Sequence, residues 1–365
     1  MKPIRILSSN LNLQGEIDNY LSFSHTLKYH TYGEFQLITN YKVSGANTLN
    51  RNLLIIPGSD INKAGIIRYR EIATDENGQE ILTAKGYSLG VILGQRITIP
   101  PDGQAQDIQE ADAETVMKNY VQRNCLDIPG MEFPNLIVAP NQHRGEVIKW
   151  QSRYKNLAEE LEKISKLTGL GWTIYPDIDI NKWVFDIYEA RDVSVNQAIL
   201  PPVIFSPEFD NVGSQDLTDS LIGYGNYAVV AGQGEGAARE IVMTGSDDLG
   251  LDRHVIFVDA RDIETSADLE LRGQSKLLEY PKILSLSSDM LLGGPFEYEK
   301  GWNLGDIVTV QNKKWNITMD SRISEVTETY ESSGFKLNVV FGDGQPTLID
   351  VIKRELGQMS TELMK

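Results

Sequence analysis

The sequence predicts an α+β, multidomain chain: two β-barrel domains, an α/β domain between them, and a helix-containing insertion in the second barrel. Three observations predict it. At 365 residues the chain is too long for one ordinary core and suits about two to four domains. Short alternating apolar runs dominate both ends, whereas apolar residues at helical spacing occur in only a few stretches. One stretch near the start also matches another near the end without gaps. Ile67, Gly78, Ile81 and Gly86 fall on Ile323, Gly334, Leu337 and Gly342 at a constant offset of 256. Upstream, Asn52–Ile56 resembles Asp306–Val310 at an offset two residues smaller. If both matches mark one ancestral unit, the chain holds two related barrels, one of them split.

Residues 1–104 read as the first barrel. The runs Phe35–Ile38, Leu53–Ile56, Gly65–Ile72 and Gly78–Lys85 are divided by turn signals at Tyr32-Gly33, Ser44–Asn47, Pro57-Gly58 and Asp75–Gly78. Pro100-Pro101-Asp102-Gly103 closes the segment. Residues 105–205 read as the α/β domain. Ala113, Val116, Met117, Tyr120 and Val121 give one amphipathic helix over about 111–123. Leu157, Leu161, Ile164 and Leu167 give a second over about 152–167, which Gly169 ends as a left-handed cap. Trp172–Tyr175 and Trp183–Tyr188 form a hairpin across Asp177–Lys182, and Pro201-Pro202 closes the domain.

Residues 206–242 and 299–346 read as the second barrel, with strands at Ile307–Val310, Trp315–Met319, Ile323–Thr329 and Phe335–Phe341. Between them, 243–298 form an inserted domain with a helix over 259–280. Its candidate core positions are Ile263, Ala267, Leu271, Leu277 and Leu278, and Pro281 stops it. Residues 347–365 predict a C-terminal helix, because Ile349, Ile352, Leu356, Met359 and Leu363 step by three and four.

The formal charge of -17 argues against a surface for nucleic acid or anionic lipid, each of which needs clustered Lys and Arg. The single cysteine, Cys125, precludes an internal disulfide and reads as a buried small hydrophobe. Neither a signal peptide nor a run of membrane-spanning length is legible, so the sequence predicts a protein made in the cytosol and without membrane insertion.

Several patterns suggest chemistry and then fail a requirement of it. Gly232-Gln233-Gly234-Glu235-Gly236-Ala237 fits a dinucleotide fingerprint, but Thr244–Asp248 breaks the long helix whose N-terminus would hold the pyrophosphate. Asp177-Ile178-Asp179-Ile180-Asn181 starts like a calcium loop, yet Lys182 and Tyr188 stand where glycine and a bidentate glutamate are needed. His25, His30, His143 and His254 form no zinc motif. Cys125 and His143 could be imagined as a thiolate pair, although neither has a supporting context. Asp247-Asp248, Asp259 and Asp262 read as solvated turns and helix starts. Trp172, Trp183, Trp302 and Trp315 read as core positions, with a sugar groove as the competing reading. No catalytic, cofactor or metal residue is assigned.

The order of segments resembles the siphovirus tail-hub proteins, relatives of the baseplate hub of contractile tails and of the N-terminal part of tail-associated lysins. The likeness is carried by Pro3–Leu7 leading to Gly15–Asp18, Gly33–Leu37, Gly65–Ile67, Lys85-Gly86 with Arg96-Ile97, Val116–Val121, Leu170–Trp172, Val229–Gly236, Arg272–Leu277 and Trp302–Val310. It implies tube-like barrels in a homotrimer whose six similar units match a six-fold tail tube. It also implies a structural, non-enzymatic role at the tail tip of a phage or prophage-derived particle. The implied neighbours are the distal tail protein, the tail tube, and tip or fibre proteins, around a channel that DNA passes without specific binding. Assembly in the host cytoplasm and residence at the virion tail tip follow. Members that cut the cell wall carry a long C-terminal extension, whereas this chain stops at Lys365. The alternative reading is a cell-wall carbohydrate-active enzyme or a glycan-binding module.

Overall fold

The structure, a computed structural model, describes residues 2–263, 265–291 and 293–342. The helix expected over 347–365 lies outside the described residues. The chain is mostly β with few helices, and it forms two compact units. The first comprises residues 1–215 and 287–341, and the second is built chiefly from 216–286.

Thirteen strands join in one sheet. Its path runs Val212–Ser220, Ile283–Met290, Gly334–Gly342, Ile317–Glu331, Ser22–Lys28, Glu34–Asn40, Glu80–Ser88, Gly65–Thr74, Leu54–Pro57, Ile4–Leu7 and Leu13–Ile17. Ile307–Asn312 also pairs with Ile317–Glu331, and Ile204–Phe205 pairs with Ile307–Asn312. The path never returns on itself, so the two expected barrels are corrected: among the described residues no barrel is closed. The physical reason is one junction. Ser22–Lys28 does not close its own half but pairs antiparallel with the second half, from Lys28 opposite Glu325 to Ser22 opposite Glu331.

The two halves nevertheless repeat each other. In each, a short strand lies antiparallel to the first strand of a hairpin: Leu54–Pro57 beside Gly65–Thr74, and Ile307–Asn312 beside Ile317–Glu331. Both hairpins carry a β-bulge. It falls between Ile67 and Tyr69 in one and between Ile323 and Glu325 in the other, which is the offset of 256 met in the sequence. A bulge bends and twists its strand, so both hairpins curve at the same place. Beyond the hairpins, Glu34–Asn40 and then Ser22–Lys28 hold the places taken in the second half by Ile283–Met290 and Val212–Ser220. The strands beside the short ones differ: Ile4–Leu7 is antiparallel to Leu54–Pro57, and Ile204–Phe205 is parallel to Ile307–Asn312.

Alternation explains the first half's core. Phe23, Phe35, Leu37, Leu82, Ala84, Ile4, Ile6 and Ile55 turn inward from successive strands and pack with Ile17, Tyr20, Leu49 and Ile67. In the second half the buried Phe205 ring meets Trp302 edge-on at 5.4 Å and Phe341 at 5.5 Å. Between the halves lie the helices Ala113–Gln122 and Leu157–Thr168. They are capped by Asp112, which accepts from the Thr115 N–H at 2.8 Å, and by Asn156, which accepts from Glu159 at 3.2 Å. Gly169 ends the second helix with φ 74°, a left-handed conformation that glycine adopts without strain. Gly171–Asp177 and Lys182–Tyr188 form the expected hairpin, and Leu136–Val138 adds parallel to it.

In the second unit, Tyr227–Ala231 pairs antiparallel with Ile241–Gly245 and parallel with Val255–Asp259. Residues 227–231, grouped with the second barrel on sequence, therefore pair with 241–245 and 255–259, most of which belong to the inserted segment. Ala228 and Val230 are buried there against the Ser266–Leu277 helix, with Val258, Ala260, Ile263 and Leu269. The helix core also differs from expectation: Ala267 is exposed, while Leu269 and Gly273 are buried. Apolar spacing could not point to Gly273, which has no side chain. A Cβ there would meet Thr244 Cγ2 at 2.6 Å and Val230 Cγ2 at 2.7 Å, so the helix lies close on the sheet. Gly273→Val is expected to destabilise this unit by about 1–3 kcal/mol, as overpacking does. Hydrogen exchange should show faster opening in 227–280 and unchanged protection in 22–88.

Candidate functional site

Two features stand out, one in each unit. In the first unit a cleft of about 270 Å3 lies beside Lys63, lined among others by Tyr298, Glu299, Trp302, Glu328 and Tyr330. Lys63 is only 3% exposed, at the end of a short 3-10 turn whose N-cap, Asp60, accepts from the Asn62 N–H. Glu328 is 1% exposed, because it occupies an inward position of the Ile317–Glu331 strand between Val326 and Tyr330. Lys63 Nζ donates to Glu328 Oε1 and Glu299 Oε1, and lies 3.3 Å from Asp60 Oδ2 and 5.3 Å from the centre of the Tyr298 ring. The Tyr330 hydroxyl donates to Glu328 Oε2 at 2.8 Å. Glu299 reaches the cluster from a left-handed turn with φ 65°, whose N–H returns to the Trp302 carbonyl.

Burial works against the Lys63 charge, but Glu328 and then Glu299 outweigh it and hold its pKa above the ordinary lysine value. Burial, followed by the Glu328 charge, pushes the Tyr298 and Tyr330 hydroxyls up, so both stay neutral. Directly across from Glu328 stands His25, 1% exposed, with neither ring nitrogen hydrogen-bonded. Burial, then Lys63 and Lys2, lowers its pKa to about 3. The arrangement is a buried ionic staple joining strands of the two halves, with an uncharged imidazole alongside. It ties the two halves together by charge.

In the second unit, one face of the three-stranded sheet packs on the helix and the other is open. Tyr227 and Val229 run along the middle of that open face, flanked by Ile241 and Met243 on one side and by Val255 and Phe257 on the other. Met243 is 60% and Val255 58% exposed. Arg253 covers the Tyr227 ring at 4.2 Å and Arg239 the Phe257 ring at 5.9 Å. A contiguous apolar face rimmed by charge is what a protein-docking surface looks like.

Of the residues that the sequence weighed for chemistry, His25 stands beside the Lys63 staple and Trp302 lines its cleft. Gly232 packs under Leu269, whose Cδ1 would lie 2.7 Å from an added Cβ, and Gly236–Ala238 is one 3-10 turn before the next strand. The phosphate-binding helix is thus missing from that loop. Asp177 Oδ1 accepts from the N–H groups of Asp179 and Ile180, making the 177–181 loop a hairpin turn. Among the described residues no His, Cys, Asp and Glu cluster suits a metal ion. Cys125 is buried, and burial pushes its thiol up to about 12, while His143 is exposed and pairs with Asp112 at 3.0 Å. Asp259 pairs with Arg261 and Arg239, and Asp262 with Arg272. Trp172, Trp183 and Trp302 are buried and Trp315 is exposed, so the four line no common groove.

A family model describing the siphovirus ReqiPepy6 Gp37-like protein matches residues 3–343. The chain belongs to this siphovirus tail protein family. Solved structures of phage tail proteins share its fold. The 43 kDa tail protein of prophage MuSo2 from Shewanella oneidensis superposes with a TM-score of 0.60 at 13% identity, over 93% of this chain and 98% of that one. The tail protein from Neisseria meningitidis gives 0.56 at 13% identity, over 94% and 97%. Prophage tail protein gp18 from Listeria monocytogenes gives 0.53 at 9% identity, over the whole of both chains. No curated protein sequence matches the chain. The siphovirus resemblance read from the sequence holds, and the chain shares the fold of solved phage tail proteins.

The ionic staple had one faint sequence signal, a glutamate at an inward position of an alternating strand. Its partners lie at 63 and 299, too far along the chain to be read together. Lys63→Met should cost about 3–5 kcal/mol by stranding the buried Glu328 carboxylate, and adding Glu328→Leu should restore most of it; chemical denaturation of the wild type, the two single variants and the double variant checks this. His25 and His30 both titrate near 3 when folded, His30 chiefly through burial. The unfolded chain binds their protons near 6.5, so their contribution is complete above that pH and is lost as pH falls from 6.5 toward 3. His25→Leu should flatten the decline in denaturation midpoint between pH 6.5 and 4.5.

Proposed function

We propose that the chain is the structural hub of a phage or prophage-derived tail tip: three copies form a ring that joins the six-fold tail tube to the tip and surrounds the DNA channel. The observation that carries this reading is the duplication. Each chain supplies two bulged hairpins with the same neighbours, so three chains supply six similar units. Six units can meet a six-fold tube with like contacts, whereas three unlike ones cannot. The acidic balance suits a ring through which DNA slides, because the phosphate backbone is repelled along its length. The open apolar face of the second unit suits a neighbouring tail protein: the distal tail protein, the tube, or a tip or fibre protein. Function on this reading lies in assembly, with no chemical step. The protein assembles in the host cytoplasm and ends at the virion tail tip.

Light scattering on the purified chain, with negative-stain averages of the same peak, tests the ring. A three-copy mass and a ring with a central hole are expected. A monomer at every concentration, both alone and with the tail tube protein, would overturn the reading. For the apolar face, Met243→Lys with Val255→Lys is expected to cut incorporation into tails at least about tenfold with little change in melting temperature.

A further inference from the structure

The duplication leaves two strand edges open. In the second half, residues 325–331 of the bulged strand pair with Ser22–Lys28. By the offset of 256, the equivalent residues of the first half begin at Tyr69 and run to the end of the Gly65–Thr74 strand. On its outer side that strand pairs with Leu54–Pro57 only through Gly65 and Ile66, and Ile67 exchanges backbone hydrogen bonds with Asn52 and Leu53. Past Ile67, no strand pairs with that side among the described residues. The other open edge belongs to Val212–Ser220, the end strand of the sheet path. It holds in the second half the place that Ser22–Lys28 holds in the first. Each chain therefore has one finished joint and the two unmatched parts of a second.

The chemistry of the two edges is complementary. A groove of about 730 Å3 beside Gly65–Thr74 is lined by Asn50, Arg51, Asn52, Arg68 and Arg70. Among the described residues no carboxylate is in ion-pair contact with these three arginines, although the chain carries 51 acidic residues against 34 basic ones. Arg70 Nε is buried without an acceptor. Burial with no anion nearby also lowers the Arg68 guanidinium's pKa. Val212–Ser220 carries Asp216 and Asp219 and no basic residue, and Asp219 makes one exposed pair with Lys282 at 3.5 Å. The finished joint has charge pairing of the same kind, Lys28 with Glu325 at 3.2 Å, beside Thr26 and Thr327 hydroxyls 2.9 Å apart.

We infer that Val212–Ser220 of one copy adds antiparallel to the free edge of Gly65–Thr74 in the next, repeating between chains the joint that 22–28 and 325–331 make within one. This rests on the ring reading above and supplies its contact. The occupant is a second copy because this chain itself presents the matching edge in the matching topological place. The contact is head-to-tail, and such contacts close into rings when the rotation allows. Duplex DNA fits less well, since its binding draws on roughly 6–10 phosphate contacts and the groove offers three arginines.

Cysteine pairing tests it. Ile72→Cys and Leu217→Cys are combined in one chain, with Glu71, Ala73 and Asp216 as neighbouring positions to allow for register. The buried Cys125 stays out of the reaction. Mild oxidation of the assembled protein should give covalent dimers and trimers from chains with one cysteine in each strand, and none from either single variant. Arg68→Glu with Arg70→Glu should raise the concentration for half-assembly at least about tenfold, and adding Asp216→Arg with Asp219→Arg should recover most of it. A wild-type ring in which no pair cross-links would overturn this contact and leave the ring reading standing. A single variant that cross-links to itself would show a two-fold contact and overturn it as well. Duplex DNA binding that the arginine reversals abolish, with the mass unchanged, would assign the groove to phosphate. A wild-type monomer under all conditions would overturn both readings.

Discussion

The antiparallel pairing of Ser22–Lys28 with residues 325–331 is the constraint on which the rest of the first unit depends. It turns two similar sets of strands into one sheet and brings together residues about 300 positions apart. Seven cross-strand pairs make it, and hydroxyl pairs and the Lys28–Glu325 ion pair decorate its half-buried face. Its inward face is less conventional. Phe23 stacks on Tyr330, but the next inward pair is His25 opposite Glu328, two polar groups where a sheet interior normally holds apolar ones.

The polar pair is tolerated because of Lys63. A buried carboxylate is costly unless it is paired and hydrogen-bonded, and Glu328 has both Lys63 and the Tyr330 hydroxyl. The imidazole beside them avoids the cost by remaining neutral. Such a cluster contributes little net stability compared with packed apolar side chains, but it tolerates no shift in register. Moving the junction by one residue would send Glu328 to the opposite face and leave Lys63 without its partner. The staple therefore favours one alignment of two repeated halves that could otherwise pair in more than one way.

Much of this was legible in the sequence. The helices at 113–122 and 157–168 followed from apolar spacing, with Gly169 ending the second, and the hairpin across 177–182 from its two apolar runs; the caps Asp112 and Asn156 came only from the structure. The gapless match between 67–86 and 323–342 foretold two related strand–turn–strand units, though not the bulge that they share. What alternation cannot say is which strand pairs with which. Phe23, Phe35 and Val326 announce inward faces without naming neighbours, so the halves read as separate barrels. Tyr227–Ala231 was assigned to the wrong sheet for the same reason. The helix at 266–277 was found with a shifted core, because Gly273 contributes to packing by having no side chain. The staple was almost invisible, since ionic contacts between distant residues leave no periodic trace. The chemical motifs misled in the reverse direction: local patterns such as 232–237 and 177–181 satisfy a spacing rule while their surroundings make them turns.

The junction between the chain's beginning and its end also sets a schedule for synthesis. Chains grow at about 5–20 residues per second, so residue 331 follows residue 28 out of the ribosome by roughly 15–60 s. Through that interval the Ser22–Lys28 strand has no second-half partner, and its edge is a template for other nascent strands. Loop closure over such a span is slow compared with local hairpin formation. Folding of the first unit is therefore late and all-or-none with respect to the second half. A truncated chain would present the same unfinished edge permanently, which makes it a candidate for misassembly with full-length copies on the same polysome.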